Sequence, residues 1–226
     1  MSSKILEITD NTELYTSSSV QNHISIASWK ELILFVDKEE TDMTISLAGN
    51  SRLTVIWWYM PLKKIRLFVT HIWEKSVSDI RILWMFHDSS NLIDIKTYMS
   101  ADQSEAQIEV LNILSDNAEA KCNCLIDATK WTKRNIAKIN EENIMIWEKA
   151  KISWVPALLA STNDVKASHN ASIERIKEED IFYLESRWID KTKAKSIMLE
   201  AKINKLFAQT SEKDFLDAEL ILKRIK

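Results

Sequence analysis

Short hydrophobic runs with a period of two dominate the chain from about residue 24 to residue 160. Apolar and polar side chains alternate over 53–57, 65–69 and 80–84, as in half-buried strands. The run 32–36 is apolar throughout, which is typical of a strand buried on both faces. Polar segments rich in Asp, Asn and Ser separate the runs. The pattern predicts a mainly-β region arranged as a sandwich, a barrel or a solenoid.

A helical pattern replaces the strands from about residue 174. The acidic segment 178–180 suits the first turn of a helix, and Asp190 suits the N-cap of the next one. Apolar residues recur mostly at spacings of three and four over 194–206, and Ser211 can cap a third helix. The predicted organisation is an N-terminal extension (1–23), a β core (24–173) and a C-terminal helical subdomain (174–226).

Composition excludes several classes of protein. The 226 residues include one glycine where average usage gives about 16, so Gly-rich phosphate-binding loops are excluded. The net charge of −3 gives no positive field for nucleic acid. No apolar run reaches the length of a membrane span, and the N-terminal residues lack the order of a signal peptide. We therefore expect a cytoplasmic protein with no membrane partner.

Two cysteines and one histidine are candidates for metal or sulfur chemistry. Cys122 and Cys124 are two residues apart, which places both thiols on one face of a strand. They could ligate a soft metal ion or carry sulfur, or they could be small core residues. His169 could ligate a metal or be a hydrogen-bonded structural residue. The other histidines are interpreted as surface or strand residues: His23, His71 and His87.

The stretch 165–190 resembles the C-terminal motif of the SufB/SufD scaffold family of iron–sulfur cluster assembly. The first half of the motif, V-K-x-S-H-G-A-[ST], is matched by Ser168, His169, Ala171 and Ser172. The second half, F-Y-L-x-S-R-G, is matched by Phe182, Tyr183, Leu184, Ser186 and Arg187. The specific match covers residues 155–207, and the rest of the chain agrees in pattern only.

The resemblance implies a right-handed parallel β-helix followed by a C-terminal helical subdomain. It implies a non-enzymatic scaffold that works with the ABC-type ATPase SufC and pairs with a second SufB/SufD-type subunit, as a homodimer or heterodimer. A transient iron–sulfur cluster forms between such subunits, and His169 matches the motif histidine implicated there in SufD-type subunits. Cys122 and Cys124 are further cluster or metal candidates.

The same resemblance places the ATPase-binding surface on the C-terminal helices. The residues expected to bind the partner are Ile181, Phe182, Tyr183, Leu184, Arg187, Ile197, Met198 and Phe207. Two alternatives stay open from the sequence. One is a β-solenoid enzyme acting on polysaccharide, which needs clustered carboxylates on one face. The other is an interaction module without cluster chemistry.

Tryptophan is as abundant as glycine is scarce, with nine residues against one. Trp188 takes the place of a glycine in the family motif, and bulky aromatics are poorly suited to positive φ. Four more tryptophans lie near predicted strand boundaries, where a solenoid turn favours glycine: Trp73, Trp131, Trp147 and Trp154. We hypothesise that such residues are glycines encoded by UGA. The alternative is a genuinely Trp-rich chain that uses the rings as core or as a partner surface.

Overall fold

The structure is a computed structural model that describes residues 5–16, 21–57, 63–87, 90–115, 117–146 and 149–208. These residues form two parallel sheets and two C-terminal helices. One sheet contains β1 (Leu6–Ile8), β3 (His23–Ile26), β5 (Glu40–Leu47), β7 (Lys64–His71), β9 (Ser90–Met99), β11 (Glu119–Ala128) and β13 (Lys151–Ala160). The other contains β2 (Thr12–Tyr15), β4 (Glu31–Val36), β6 (Arg52–Trp57), β8 (Val77–His87), β10 (Glu105–Ser115), β12 (Asn135–Met145) and β14 (Val165–Arg175). The helices are α1 (Glu178–Glu185) and α2 (Lys191–Phe207).

Successive strands alternate between the two sheets, so each coil of the chain contributes one strand to each. Every strand pairs in parallel with the strand two places along the chain. Parallel strands need a crossover, and here the opposite sheet supplies it in place of a helix. The predicted mainly-β solenoid with a C-terminal helical part is confirmed.

Rows of stacked side chains fill the interior, the space between the two sheets. One row runs from Met43 through Leu67 and Ile95 to Cys124, each on the next coil. All four side chains are buried, because the period of two turns every second residue inward. Full burial of a Leu or Ile side chain stabilises the fold by about 2 kcal/mol.

One corner of the coil adopts the left-handed conformation in coil after coil. Trp29, Asn50, Lys75 and Gln103 all have φ between 56° and 65°. The backbone N–H of each donates to a carbonyl of the following coil, for example Asn50 to Glu74. The same hydrogen bond therefore recurs at each of these corners with a different side chain. With one glycine in 226 residues, the corners use asparagine, lysine, glutamine and tryptophan instead.

Helix α2 covers the outer face of the sheet that contains β8 and β10. Its apolar residues Leu199, Ile203 and Phe207 form a second buried cluster with strand residues such as Leu83 and Leu111. This cover explains why the strands beneath it are apolar on both faces. Asp190 is the N-cap of α2 as predicted, because its carboxylate accepts hydrogen bonds from two backbone N–H groups of the first turn.

Ion pairs hold the outer edge of α2 to the sheet. Lys202 contacts Glu142 of β12 at 3.2 Å and Glu174 of β14 at 2.8 Å. Lys205 also binds Glu142. Burial would raise the pKa of the Glu142 carboxyl, but hydrogen bonds from the two lysines outweigh it and hold this pKa below its usual value. The carboxylate therefore stays charged and anchors the helix.

The ends of the chain differ from the predicted boundaries. Strands β1 and β2 lie within 1–23, so the solenoid already includes part of the segment predicted to be an extension. They were missed because each has only three or four residues, too few to show periodicity. The third predicted helix, from Ser211, lies outside the described residues. Within the described part, neither helix has the length and apolarity needed to cross a membrane.

Candidate functional site

Two thiols meet in the interior near the C-terminal end of the solenoid. Cys122 and Cys124 lie on β11, and their side chains are 0% and 1% exposed. Their Sγ atoms are 3.7 Å apart. In its row each cysteine follows a buried isoleucine of β9, since Cys122 pairs with Ile93 and Cys124 with Ile95. The prediction that both thiols share one face of a strand is confirmed.

A carboxyl group joins these thiols from the opposite sheet. Glu141 on β12 is fully buried, and its register partner on β10 is the apolar Val110. A carboxylate oxygen of Glu141 and the two Sγ atoms all lie within 4.8 Å of one another. We call Cys122, Cys124 and Glu141 the thiol–carboxyl cluster.

Sequence reasoning missed Glu141, although a signal for it exists. Ala137, Ile139, Glu141 and Asn143 occupy every second position of β12, and all four are buried. The period of two therefore places a carboxyl group among the inward-facing residues of β12. The nearby Ile136 obscures that alternation. The sequence does not show that this face of β12 lies opposite the cysteines of β11 across the interior.

Burial shapes the electrostatics of the thiol–carboxyl cluster. It raises the pKa of the Glu141 carboxyl to about 7, and the nearby Asn143 and Cys122 side chains reduce that rise. The contact with the Cys124 thiol, together with burial, raises the pKa of Cys122 well above its usual value. The Cys122 thiol is therefore neutral at pH 7 unless a cation compensates its charge. Two thiols and a carboxylate form a ligand set for thiophilic metal ions.

His169 lies apart from the cluster, on β14 at the end of the solenoid. It is exposed, and the sheet register stacks it on the inward-facing Ile139. Ala171, two residues further along, stacks on Glu141 in the same way. From strand spacing and rise, the Cα atoms of His169 and Glu141 are about 8 Å apart. Of the three predicted candidates, the structure brings the two cysteines together and places His169 separately, on the strand that follows Glu141 in its sheet.

The predicted partner-binding residues divide into a buried and an accessible group. Ile181 and Phe207 are buried within the protein and hold the helices in place. Phe182 and Tyr183 are exposed on α1, and the Arg187 guanidinium lies over the Tyr183 ring at 5.7 Å. The half-buried members are Leu184, Ile197 and Met198. The accessible aromatic surface is therefore on α1.

Comparison with known proteins identifies the family. Residues 9–202 match the family model described as the SufBD core domain of the SUF system for FeS cluster assembly. The chain is 28% identical over 114 residues to the iron–sulfur cluster assembly protein SufD of Escherichia coli. It is 31% identical over 68 residues to a SufBD family protein of Pyrococcus horikoshii, and 29% identical over 75 residues to one of Synechocystis.

These alignments cover half of this chain or less, and a smaller share of each relative. They span 27% of the Escherichia coli protein, 15% of the Pyrococcus protein and 16% of the Synechocystis protein. The family model, in contrast, extends from β2 into α2 and so includes every strand except β1 and most of the covering helix. The chain belongs to the SufBD core-domain family of the SUF iron–sulfur cluster assembly system.

Proposed function

We propose that this chain is a scaffold subunit for iron–sulfur cluster assembly, without enzymatic activity of its own. The observation that supports this most strongly is the family match over 9–202, which runs from β2 into α2. The motif residue His169 lies on the last strand, where a second subunit has access to it. In this proposal the ATPase activity resides on a separate SufC-type partner.

The surface proposed for the ATPase is the exposed face of α1. Phe182 and Tyr183 present two aromatic rings to solvent, and exposed aromatics are common anchors of interfaces. Co-expression with a SufC-type ATPase tests this by affinity capture. The double variant Phe182→Ala/Tyr183→Ala is expected to lose the ATPase. Capture of the ATPase at the wild-type level by this variant would contradict the proposed surface.

The surface proposed for subunit pairing is the end formed by β13 and β14. These are the last strands of their sheets, and in the described part of the chain nothing pairs with their outer edges. Val155, Leu159 and Ile173 are exposed there. Exposed strand edges with apolar side chains readily add another chain. The variant Leu159→Lys is expected to weaken pairing in sedimentation experiments while leaving ATPase capture intact, which makes it a matched control for the α1 variant.

Cluster formation is tested by anaerobic reconstitution of the paired subunits with iron and sulfide. The proposal expects visible cluster absorbance in the wild type and a clear loss in His169→Ala. Absence of absorbance from the wild-type pair would favour an interaction module without cluster chemistry.

A polysaccharide-active enzyme has less support. On the outer faces, Asp42 lies beside Arg66 and Glu119 beside Lys151 of the neighbouring strands, so these carboxylates are paired with basic groups and not with each other.

A further inference from the structure

The two sulfur atoms of the thiol–carboxyl cluster have the separation of ligands on one tetrahedral metal ion. The Sγ atoms of Cys122 and Cys124 are 3.7 Å apart. Two thiolates bound to one tetrahedral zinc ion, each at about 2.3 Å, lie about 3.8 Å from each other. The thiols therefore already have the separation that such an ion requires.

Glu141 gives an independent reason to expect a cation there. It is 0% exposed, and neither of its carboxylate oxygens has a hydrogen-bond partner. The Asn143 amide and the Cys122 thiol lie near enough to lower the pKa of this carboxyl group, but neither makes a well-formed hydrogen bond to it, and the Asn143 amide donates to the Ser172 carbonyl at 3.1 Å. A buried carboxylate without a cationic partner is costly, and the two thiols within 4.8 Å of it are not cations. A bound cation would satisfy the carboxylate and both sulfur atoms together.

The position of Glu141 in its row strengthens the argument. The corresponding residues of the two preceding coils are Val110 and Ile82, which are buried and apolar. An apolar side chain fits this environment without an electrostatic cost, so packing alone does not account for a carboxyl group.

We propose that Cys122, Cys124 and Glu141 bind one thiophilic divalent cation, iron(II) or zinc(II), inside the solenoid. Binding exchanges the protons of both thiols for the metal ion, and the protons leave to solvent with no change of oxidation state. Three protein ligands leave one tetrahedral position for a small exogenous ligand. This proposal goes beyond a scaffold role and does not depend on it.

Anaerobic titration of the full-length protein with cobalt(II) tests the site, followed by competition with zinc(II) and iron(II). We expect one equivalent per chain, with thiolate-to-metal charge-transfer bands in the near ultraviolet and intense d–d bands of tetrahedral cobalt. Cys122→Ser, Cys124→Ser and Glu141→Gln are each expected to weaken binding by about tenfold or more. Far-UV circular dichroism checks that each variant is folded.

His23→Gln is the matched control, because it removes an exposed potential ligand on the distant strand β3. It is expected to bind cobalt as the wild type does. Wild-type protein without charge-transfer bands, or folded Glu141→Gln with unchanged affinity, would overturn the proposal. The titration uses neither sulfide nor a partner subunit, so its outcome is separate from that of the scaffold proposal.

A second inference rests on the backbone of three tryptophans. Trp29, Trp131 and Trp188 have φ of 65°, 74° and 66°. Tryptophan supplies 9 of the 226 residues but three of the seven left-handed non-glycine positions in the described chain. Bulky side chains are strained in this conformation, whereas glycine is not.

Solvent exposure distinguishes these three tryptophans from one that packs in the core. Trp29, Trp131 and Trp188 are 75%, 90% and 98% exposed, so their rings contribute little packing. Trp84, in contrast, is fully buried in the interior. Trp73 and Trp154 are not at positive φ, and Trp147 lies outside the described residues.

We infer that residues 29, 131 and 188 are glycine in the native organism, encoded by UGA, and that Trp84 is tryptophan encoded by UGG. The codons of the gene and peptide mass spectrometry of natively produced protein test this. Glycine masses at the three positions, with tryptophan at 84, are expected. UGG codons at all three positions, or tryptophan masses in the native peptides, would overturn the inference.

Discussion

The guanidinium group of Arg81 on β8 donates a hydrogen bond to the carbonyl oxygen of Leu206 in the last turn of α2. Arg81 is almost fully buried, and it also binds both carboxylate oxygens of Asp79. A buried cation thus joins the covering helix to the sheet beneath it. Carbonyl groups at a helix C-terminus carry partial negative charge, which favours a cation at this place.

Arg81→Met tests how strongly this contact holds α2. The change leaves the Asp79 carboxylate and the Leu206 carbonyl without their donor, so we expect a loss of about 3 kcal/mol in the free energy of unfolding. Hydrogen exchange in α2 should accelerate. Arg66→Met is the control, because Arg66 and Asp42 form an exposed pair at 3.9 Å worth less than about 1 kcal/mol. Equal effects of the two variants would contradict the prediction.

His71 is expected to make stability depend on pH. Its ring nitrogens lie 2.8 Å and 2.9 Å from the hydroxyls of Ser76 and Ser78, and burial lowers its pKa from 6.5 to about 4. Between these values the unfolded chain binds a proton that the folded protein does not. The contribution of the neutral ring is therefore complete above pH 6.5 and is lost as the pH falls toward 4, by about 3 kcal/mol.

Urea denaturation of the wild type and His71→Gln from pH 7.5 to 4.5 measures this effect. The stability difference between the two proteins should shrink, or change sign, as the pH falls. Taking the difference cancels other titrating groups, including Glu141. A difference that stays constant over this range would show that His71 does not titrate as expected.

Replacing the strained tryptophans should stabilise the recombinant protein. Trp131→Gly and Trp188→Gly each relieve a left-handed backbone, a gain of about 1–2 kcal/mol. The greater freedom of glycine in the unfolded chain offsets about 0.5–1 kcal/mol of this. A net increase of about 0.5–1 kcal/mol is expected from denaturant midpoints. Trp154→Gly, inside β13 and packed on the core, should destabilise instead.

A ladder of buried asparagines predicts coupled mutations. Asn112 donates to Asn143 across adjacent coils at 2.7 Å, and Asn143 donates to the Ser172 carbonyl. Asn143→Leu should cost about 2 kcal/mol, because it leaves the Asn112 amide buried without its acceptor. The double variant Asn112→Leu/Asn143→Leu should lose less than the sum of the single variants in a double-mutant cycle. Simple additivity would contradict the ladder as a coupled unit.

Local periodicity was enough to predict most elements of this fold. Alternation over 65–69 predicted β7, three- and four-residue spacing predicted α2, and the spacing of Cys122 and Cys124 placed both thiols on one face. These features depend on side-chain direction within one element, which the sequence shows directly.

Contacts between elements that are far apart in the chain could not be predicted from the sequence, because they depend on how the strands and helices are aligned in the fold. The meeting of Glu141 with the cysteines depends on how β12 faces β11 across the interior. The contact from Arg81 to Leu206 spans 125 residues. Trp154 was predicted near a strand boundary but lies within β13, because neighbouring Pro156 is accommodated in this edge strand.

The stacking of coils has a consequence for how this architecture can change in length. Among the described residues, each strand pairs only with the one or two strands beside it in its sheet, so the first coils act mainly on the coils next to them. Coils can therefore be inserted or deleted at the β1 end, some distance from β11–β14, without shifting any residue near the thiol–carboxyl cluster. The number of coils in this architecture can therefore change while the distances within the thiol–carboxyl cluster stay the same.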